Sequence, residues 1–316
     1  MRFRQLGRSG LTVSVVGLGA NNFGGRLDLG QSRAVVDAAL DTGINFIDTS
    51  DSYGADGGSE SVLGEILGAR RSDVVIATKF GSDVRGMNGK DFRARASRRY
   101  VVRAVESSLR RLRTDYIDLY QLHRPDGVTP LGETLEALDD LIHAGKVRYA
   151  GSSNLAPWQV VEAEWVAQEQ HCNRFVSAQN HYSLLKREIE LELVPACLAH
   201  GVSIIPYFPL ANGLLTGKWR EGEPPPAGSR LAEPWTHGWS TAEAFATVER
   251  LRAFAAQRGV SLVDVAIGGL AAQPAVGSVI AGATSAEQVR ANAAAASFQP
   301  DAADLETLNE LAPAFR

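Results

Sequence analysis

The fold is decided by three consecutive segments, DVVIATK (73–79), RRYVVRAVESSLRRL (98–112) and IDLYQLH (117–123). The first and third are short apolar runs rich in β-branched and aromatic residues, which predicts β-strands. The middle segment repeats apolar residues at helical spacing, which predicts an amphipathic helix. A helix between two strands predicts that the strands are parallel, because parallel neighbours need a crossover connection.

The same alternation of strand and helix covers nearly the whole chain of 316 residues. It predicts eight strands, with the sequences VVGLG, INFID, DVVIATK, IDLYQLH, VRYAGSS, FVSAQN, SIIPYF and GSVIAGA. Eight such units favour a closed (β/α)8 or TIM barrel, an α/β fold, over an open sheet. The segments FRQL and LTVS predict an N-terminal β-hairpin, and surplus helical segments predict one or two extra helices outside the ring. No linker divides the chain, so we expect a single barrel domain over residues 1–316.

Composition limits the classes of function. The chain is 45% hydrophobic and 22% charged with a net charge of −4, which favours neither nucleic acid nor an anionic membrane as a partner. A basic stretch from Arg93 to Arg113 has helical spacing and is interpreted as the solvated face of a helix. The N-terminus lacks the apolar segment of a signal peptide, and no run is long enough to span a membrane. Because Cys172 and Cys197 are isolated and the histidines are dispersed, we expect a reduced, cytoplasmic protein without a metal site.

Four polar residues follow three successive predicted strands. Asp48 ends INFID, Tyr53 lies five positions later, Lys79 ends DVVIATK, and His123 follows IDLYQL. Sites in (β/α)8 barrels form at the C-terminal ends of the strands, so these residues can converge. A nearby ammonium lowers the pKa of a phenol, a carboxylate keeps the lysine charged, and an imidazole can orient a carbonyl group. Each residue alone also fits a structural role, but together they predict a proton donor for carbonyl reduction.

A glycine-rich segment, GLGANNFGG (17–25), needs a separate interpretation because it follows a predicted strand. Asn22 occupies the position where the dinucleotide-binding pattern G-x-G-x-x-G requires its third glycine. No helical pattern begins directly after the segment, so we reject a Rossmann fingerprint here.

The chain resembles the aldo-keto reductases. The resemblance rests on ordered motifs over nearly the whole chain: GINFIDTSDSYG, VVIATKFG, DYIDLYQLHRPD, IHAGKVRYAGSSN, SAQNHYS, PYFPLANGLLTGK and AGATSAEQVRANAAA. The segments RQLGRSGLTVS and GLLTGK are most similar to the bacterial and potassium-channel-β-like branches. The resemblance implies an NAD(P)H-dependent carbonyl reductase in which Tyr53 is the general acid and base. Lys79, paired with Asp48, would tune Tyr53, and His123 would orient the substrate carbonyl.

The resemblance also implies a cofactor that extends across the barrel mouth. We predict NADPH, with NADH as the alternative, although Gly282 and Gln288 replace the lysine and arginine of well-studied members. The turn GATSAEQ opens a helix, and helix N-termini bind anions. The implied contacts are Gly19, Ala20, Asn21 and Asp48 beside the nicotinamide, Ser153, Asn154 and Gln179 at its carboxamide, Tyr207 against its ring, Phe208, Pro209, Leu210, Gly213 and Lys218 at the pyrophosphate, and Gly282, Thr284, Gln288 and Asn292 at the adenosine.

The substrate is expected to be a small carbonyl compound. The predicted pocket consists of Asn22, Phe23 and Phe80, together with Tyr53, His123 and the irregular loop 221–240. Trp235 and Trp239 in that loop could close over the substrate or, equally well, anchor the loop on the barrel wall. Two alternative functions stay open: a nicotinamide-binding regulatory subunit of the channel-β type with little turnover, and an unrelated barrel isomerase or lyase. The sequence does not predict an oligomeric state.

Overall fold

Eight parallel strands form the centre of the protein. The computed structural model describes residues 1–314, apart from the side chains of Pro234, Trp235 and His237. The barrel strands are β3 (Val16–Gly19), β4 (Phe46–Asp48), β5 (Val75–Phe80), β6 (Ile117–Leu122), β7 (Val147–Ser153), β8 (Phe175–His181), β9 (Ser203–Tyr207) and β10 (Val279–Gly282). Their order is β10-β3-β4-β5-β6-β7-β8-β9. Ile204 of β9 pairs with Val276, just before β10, so the barrel is nearly closed and the predicted fold is confirmed.

An antiparallel hairpin covers the N-terminal end of the barrel. It consists of β1 (Phe3–Gln5) and β2 (Thr12–Ser14), as the sequence predicted. Leu6, Leu11 and Val13 are buried in one cluster with inward-facing residues of the barrel strands. Because apolar side chains fill this end, the polar residues collect at the opposite end, where the strands finish.

Ten helices surround the strands in the described part of the chain. They are α1 (Leu29–Asp41), α2 (Gly58–Leu67), α3 (Arg98–Leu112), α4 (Leu131–His143), α5 (Pro157–Glu169), α6 (Leu193–His200), α7 (Ala242–Gln257), α8 (Leu262–Ala271), α9 (Ala286–Ala294) and α10 (Ala302–Leu311). Helices α7 and α10 are additional to the strand–helix alternation, since α7 precedes α8 before the last strand and α10 follows α9. This confirms the prediction of one or two extra helices. None of the described helices is both long and apolar enough to cross a membrane.

Helix α3 illustrates how sequence periodicity determines packing. Its apolar side chains Val101 and Val105 are buried against the strands. Arg99, Arg103 and Arg110 are exposed on the other side. The basic stretch is therefore a solvated helix face, as predicted.

The alternation of side chains along β5 positions the polar site. Val75 and Ala77 belong to the cluster inside the barrel, whereas Ile76 and Phe80 belong to the layer beneath the helices. Successive side chains of a strand point to opposite faces, so Lys79 continues the inward series. Lys79 is fully buried.

Candidate active site

Lys79 is the centre of a buried hydrogen-bond cluster. Its Nζ donates to Asp48 Oδ2 at 2.7 Å, to the backbone carbonyl of Thr49 at 2.7 Å and to Tyr53 Oη at 3.2 Å. Lys79 is 0% exposed and Asp48 is 2% exposed, so the ion pair is enclosed by protein. Tyr53 is half-buried, and its hydroxyl is enclosed together with Lys79. Three of the four predicted catalytic residues therefore meet directly.

Its partners keep Lys79 charged in this enclosed position. Burial alone lowers the pKa of an ammonium, but Asp48 and Tyr53 outweigh burial and raise the pKa of Lys79. Asp48 is itself held by two amides, since its Oδ1 accepts from Gln179 Nε2 at 2.7 Å and from Gln121 Nε2 at 3.5 Å. A buried ion pair needs such additional hydrogen bonds to offset its desolvation.

The pKa of Tyr53 differs from the sequence-based expectation. Burial of the phenol is the largest influence and raises its pKa, while the Lys79 ammonium lowers it and the Asp48 carboxylate raises it. The net direction is upward, so the expected lowering is wrong for the protein as the structure describes it. Desolvation of a phenolate outweighs the neighbouring ammonium. The hydroxyl of Tyr53 therefore stays protonated near neutral pH.

His123 completes the group of four. Its ring lies edge-on to the ring of Tyr53, with centroids 5.9 Å apart and an angle of 84° between the planes. Its Nδ1 lies 3.0 Å from Ser82 Oγ and 3.2 Å from Ser50 Oγ. Burial, reinforced by Lys79 and Arg124, lowers the pKa of His123 to about 3. The imidazole is thus neutral near neutral pH and carries a hydrogen on one ring nitrogen.

Amides and hydroxyls at the ends of β7 and β8 border this group. Ser153 Oγ donates to the carbonyl of Gln179 at 2.9 Å, and Asn154 Nδ2 donates to the carbonyl of His123 at 3.0 Å. Tyr207 Oη donates to Asn154 Oδ1 at 2.8 Å. The ring of Tyr207 stacks on His181, with centroids 5.4 Å apart. The residues expected at a nicotinamide carboxamide therefore lie together, beside Asp48 and His123.

The chain after β9 forms a turn with unusual backbone angles. Phe208, Ala211, Asn212 and Gly213 have φ values of 54°, 47°, 56° and 112°. Left-handed residues within turns can direct backbone N–H groups toward an anion. Here the N–H groups of Ala211 and Gly213 bond to carbonyls of the same turn, so the side chains are the available donors. Both side-chain amide atoms of Asn212 and the hydroxyl of Ser229 are buried without a hydrogen-bond partner among the described residues. Such groups are costly when unsatisfied, and a phosphate would accept hydrogen bonds from Asn212 Nδ2 and from the Ser229 hydroxyl.

The other residues expected at the pyrophosphate differ in their surroundings. Pro209 is buried and Leu210 is half-buried within the same turn. Lys218 follows the short 3₁₀ segment Ala211–Thr216 and is exposed, so its side chain is free to reach outward from this turn.

Arg230 is a functional candidate that the sequence prediction missed. Its Nη2 donates to Asn22 Oδ1 at 2.9 Å and to Asn21 Oδ1 at 3.2 Å. Its guanidinium lies 5.6 Å from the ring centroid of Phe208. The loop after β9 therefore reaches across to the end of β3 and brings a cation beside the left-handed turn. The sequence around Arg230 is irregular and rich in proline, so no strand or helix periodicity distinguished this arginine.

The residues expected at the adenosine end collect at the start of α9. Ser285 is the N-cap of this helix and accepts from the backbone N–H of Gln288 at 3.3 Å. Gln288 Oε1 accepts from the backbone N–H of Thr284 at 2.9 Å and lies 3.2 Å from its Oγ1. Gly282 is exposed, and Asn292 is buried. The strand end of β3 is adjacent, and its residues Gly19 and Ala20 are half-buried and buried.

Two of the predicted pocket residues are placed elsewhere. Phe23 and Phe80 are both 0% exposed and belong to the apolar core. Phe80 packs on Tyr120, with ring centroids 4.7 Å apart. The prediction that they line the pocket is wrong, and for Phe80 the reason is strand alternation: Lys79 faces inward, so Phe80 faces outward. Asn22 is 6% exposed and is bonded to Arg230.

Of the two tryptophans predicted in loop 221–240, the structure describes the side chain of one. The ring of Trp239 stacks on His181 with centroids 4.6 Å apart, and it lies 5.7 Å from the ring of Phe208. Trp239 thus anchors the loop on the rim of the barrel, which was one of the two alternatives. The side chain of Trp235 lies outside the described residues.

Other polar residues contribute to the site although the sequence prediction did not select them. Gln121 precedes His123 by two positions on an alternating strand, so strand parity could have identified it. Ser50 lies between Asp48 and Tyr53 in sequence, and no sequence motif distinguished it from the neighbouring serine and threonine residues. Within the described residues, no three His, Cys, Asp or Glu side chains are grouped so that they could hold a metal ion.

Asp51, behind this site, gives the fold a predicted pH dependence. It is 0% exposed, and burial, reinforced by Glu60, raises its pKa from 3.8 to about 7. Because the pKa is raised on folding, the stability it contributes is complete below its unfolded pKa and is lost as the pH rises through about 7. We expect the wild type to lose about 2 kcal/mol of unfolding free energy between about pH 5.5 and 7 through this group, and Asp51→Asn to abolish that loss.

Urea unfolding of both proteins at the two pH values measures this difference. Asp83→Asn, at a carboxylate whose side chain is 62% exposed, is the matched control and should keep the wild-type pH dependence. The same pH-dependent loss in Asp51→Asn as in the wild type would contradict the assignment.

Comparison with known families adds to this geometry. The family model described as "Aldo/keto reductase family" matches residues 15–313. The chain belongs to the aldo/keto reductase family. The sequence resemblance is thus confirmed.

Several known proteins are similar to most of this chain. A probable voltage-gated potassium channel subunit beta of Oryza sativa subsp. japonica is 37% identical over 301 residues, 92% of this chain and 90% of that protein. An uncharacterized oxidoreductase of Bacillus subtilis (strain 168) is 35% identical over 320 residues, 99% of this chain and 96% of that protein. A versiconal hemiacetal acetate reductase of Aspergillus parasiticus is 36% identical over 297 residues, 84% of each.

Proposed function

We propose that this protein is an oxidoreductase that uses NADPH to reduce an aldehyde or ketone to an alcohol, or catalyses the reverse oxidation. The proposal depends above all on one observation: Lys79 Nζ bonds Asp48 and Tyr53 at once, while His123 faces the same tyrosine. The names of relatives from Bacillus subtilis and Aspergillus parasiticus are consistent with it. A small-molecule carbonyl compound is the proposed partner.

Several residues of this chain suit a nicotinamide dinucleotide. Ser153, Asn154 and Gln179 offer amide and hydroxyl groups for a carboxamide, and Tyr207 offers a ring for stacking. Asn212 Nδ2 and the Ser229 hydroxyl are unpartnered donors that suit a pyrophosphate. The guanidinium of Arg230 lies near Phe208 in the same turn and adds a cation for it.

Residues at the ends of the last and first barrel strands would hold the adenosine part. The N-terminus of α9, with Thr284 and Gln288, favours a negatively charged group through its unpaired N–H groups and dipole. Asn21 and Asn22 hold Arg230 across the same space and would position it over the cofactor.

A reduced nicotinamide, when bound, supplies the hydride for the carbonyl carbon. Tyr53 donates its hydroxyl proton to the carbonyl oxygen, so that hydride and proton together give the alcohol. Lys79 stabilises the phenolate that remains, and Asp48 keeps Lys79 charged. His123, neutral because of its lowered pKa, donates a hydrogen bond to the carbonyl oxygen and orients it. Solvent then reprotonates Tyr53.

The activity test is NADPH oxidation in the presence of a panel of aromatic and aliphatic aldehydes. Consumption of NADPH that depends on the aldehyde, with formation of the alcohol, is the expected result. NADPH binding without turnover on any member of the panel would contradict the enzymatic proposal.

The second candidate is a nicotinamide-binding regulatory subunit with little turnover. The similarity to the potassium channel subunit beta of Oryza sativa favours it, because that similarity covers 92% of this chain. Tight NADPH binding by fluorescence titration, together with absent turnover, would support this candidate. An absence of NADPH binding would contradict both candidates; the unrelated barrel isomerase or lyase is already excluded by the family match over residues 15–313.

The preference for NADPH over NADH is expected to be modest. The turn GATSAEQ contains no lysine or arginine, so the α9 N-terminus supplies the main attraction for a 2′-phosphate. A helix terminus contributes about 0.3–2 kcal/mol, which corresponds to a preference of about 2- to 30-fold in kcat/KM. Steady-state kinetics with both cofactors measure the ratio. A preference for NADH would contradict the prediction.

A further inference from the structure

A buried carboxyl group lies directly behind His123, separated from it by one hydroxyl. Ser50 Oγ is 3.2 Å from His123 Nδ1 and 3.3 Å from Asp51 Oδ1. Asp51 is 0% exposed, and its Oδ2 accepts a hydrogen bond from Asn88 Nδ2 at 2.9 Å. The catalytic chemistry proposed above does not use Asp51, yet its carboxyl group is one hydroxyl away from the imidazole.

The groups around Asp51 come from three elements of the fold. Glu60 of α2 faces it and is paired with Arg111 of α3 at 2.7 Å. Tyr100 of α3 and Tyr120 of β6 also face it, and each has its pKa raised, mainly by burial and in part by the Asp51 charge.

The backbone N–H of Asp51 donates to the carbonyl of Lys79 at 3.3 Å, while the Lys79 ammonium is turned toward Asp48. Burial and Glu60 raise the pKa of Asp51 to about 7, against the opposing effects of Arg111, Asn88 and Ser50. Its proton occupancy therefore changes near neutral pH, whereas His123, with a pKa of about 3, stays neutral.

The single hydrogen of Ser50 can point to only one acceptor at a time. When Asp51 is ionised, its charge attracts this hydrogen, and the Ser50 oxygen accepts from the ring N–H at His123 Nδ1. When Asp51 is protonated, it can donate to Ser50, which then donates to His123 Nδ1. The backbone N–H of Ser52 donates to Ser50 Oγ at 3.2 Å in either state. The Ser52 hydroxyl lies 2.9 Å from the same oxygen, but in both states the other partners already occupy the lone pairs and the hydrogen of Ser50.

We propose that the proton on Asp51 selects, through Ser50, which ring nitrogen of His123 carries the hydrogen. Protonated Asp51 favours hydrogen at Nε2, the nitrogen free to donate to a substrate carbonyl, and ionised Asp51 favours hydrogen at Nδ1. Asp51 is thus a positioning residue that acts through Ser50 and His123. Its effect on turnover rests on the proposed function, but its effect on the imidazole tautomer does not.

Three substitutions separate this relay, the hydrogen-bond chain Asp51–Ser50–His123, from a general structural role of Asp51. Asp51→Asn keeps the shape, and its amide can donate permanently to Ser50 while its oxygen accepts from Asn88. Ser50→Ala removes the connecting hydroxyl. Ser82→Ala is the matched control, because Ser82 Oγ contacts the same ring nitrogen at 3.0 Å but has no bond to a carboxylate among the described residues.

The test is the ¹⁵N chemical shifts of the His123 ring in the full-length protein, recorded from about pH 5.5 to 8.5, across the titration of Asp51. The His123→Asn spectrum assigns the signals. Hydrogen should move from Nε2 to Nδ1 as the pH rises in the wild type and in Ser82→Ala. It should stay on Nε2 in Asp51→Asn and lose its pH dependence in Ser50→Ala. A wild-type tautomer that does not change with pH, or an unaltered transition in Ser50→Ala, would overturn the proposal. If Asp51→Asn does not fold, the wild type and Ser50→Ala alone still test it.

Kinetics provide a separate readout. If the protein reduces carbonyl compounds, kcat/KM of the wild type should fall about 2- to 10-fold as the pH rises through about 7. This is the effect of losing one hydrogen bond to the substrate carbonyl. In Asp51→Asn, kcat/KM should not change over the same pH range. Failure of the reductase proposal would remove this turnover but leave the ring shifts as predicted. Failure of the relay would leave turnover in place and remove the tautomer change.

Discussion

Tyr53→Phe is expected to lower kcat for carbonyl reduction by a factor of about 10²–10⁴, the usual contribution of a positioned general acid. The substitution keeps the aromatic ring and removes the hydroxyl that lies 3.2 Å from Lys79 Nζ. Lys79 retains its bonds to Asp48 and to the carbonyl of Thr49, so the ion pair should survive. Because the pKa of Tyr53 is raised, the phenol stays protonated through the neutral range, and its own titration should not limit reduction there.

Steady-state reduction of an aldehyde with NADPH at neutral pH measures the effect, and fluorescence titration checks that the NADPH affinity remains near that of the wild type. Tyr116→Phe is the matched control. Tyr116 lies at the other end of the barrel, with its ring between the guanidiniums of Arg71 and Arg148. An unchanged kcat in Tyr53→Phe would exclude Tyr53 as the acid.

Lys79→Met is expected to destabilise the fold by about 3–5 kcal/mol, because it leaves the Asp48 carboxylate buried and uncompensated. Asp48 would retain its bonds to Gln179 and Gln121, but amide donors do not neutralise a charge in an enclosed site. Turnover should also fall strongly, since the phenolate formed at Tyr53 would lose the adjacent cation.

The double variant Asp48→Asn with Lys79→Met separates the two effects. Removal of both charges should recover much of the lost stability without restoring turnover, and a double-mutant cycle gives the coupling energy of the pair. Denaturant midpoints of the four proteins measure stability. If the denaturant midpoint of Lys79→Met equals that of the wild type, Asp48 and Lys79 are not strongly coupled.

Much of the fold was predictable because its signals are local. The segment 98–112 was predicted as a helix from its apolar spacing, and it is α3 with the same limits. The segment 147–153 was predicted as a strand, and it is β7 with the same limits. The segment INFID was longer than the strand that forms, since β4 covers only Phe46–Asp48. Such periodic patterns depend on neighbouring residues, so a single sequence contains them.

The site was predictable where it follows from strand ends. Asp48, Lys79 and His123 were selected because each ends or follows a strand, and the structure brings them together with Tyr53. Phe80 was predicted to line the pocket because it follows Lys79 in sequence. This prediction was wrong, because successive residues of a strand face opposite sides. Strand parity was available from the sequence and would have excluded it.

Other parts of the site depend on contacts between distant segments. Arg230 reaches Asn22 across 208 positions, and Gln179 reaches Asp48 across 131. The pKa of Tyr53 was predicted in the wrong direction because its charged neighbours were known but the extent of its burial was not. Asp51 escaped notice for the same reason, as an aspartate in a loop is ordinarily solvated.

By itself, the sequence determined the alternation of strands and helices, the barrel and the polar residues at the strand ends. These follow from periodicity and from the rule that parallel strands finish at one face. Only the tertiary structure decided how deeply Tyr53, His123 and Asp51 are buried, how Arg230 crosses the mouth and which hydroxyls meet the imidazole. Burial and hydrogen-bond partners depend on atoms from the whole chain, so the protonation states of this site are properties of the fold and not of any segment.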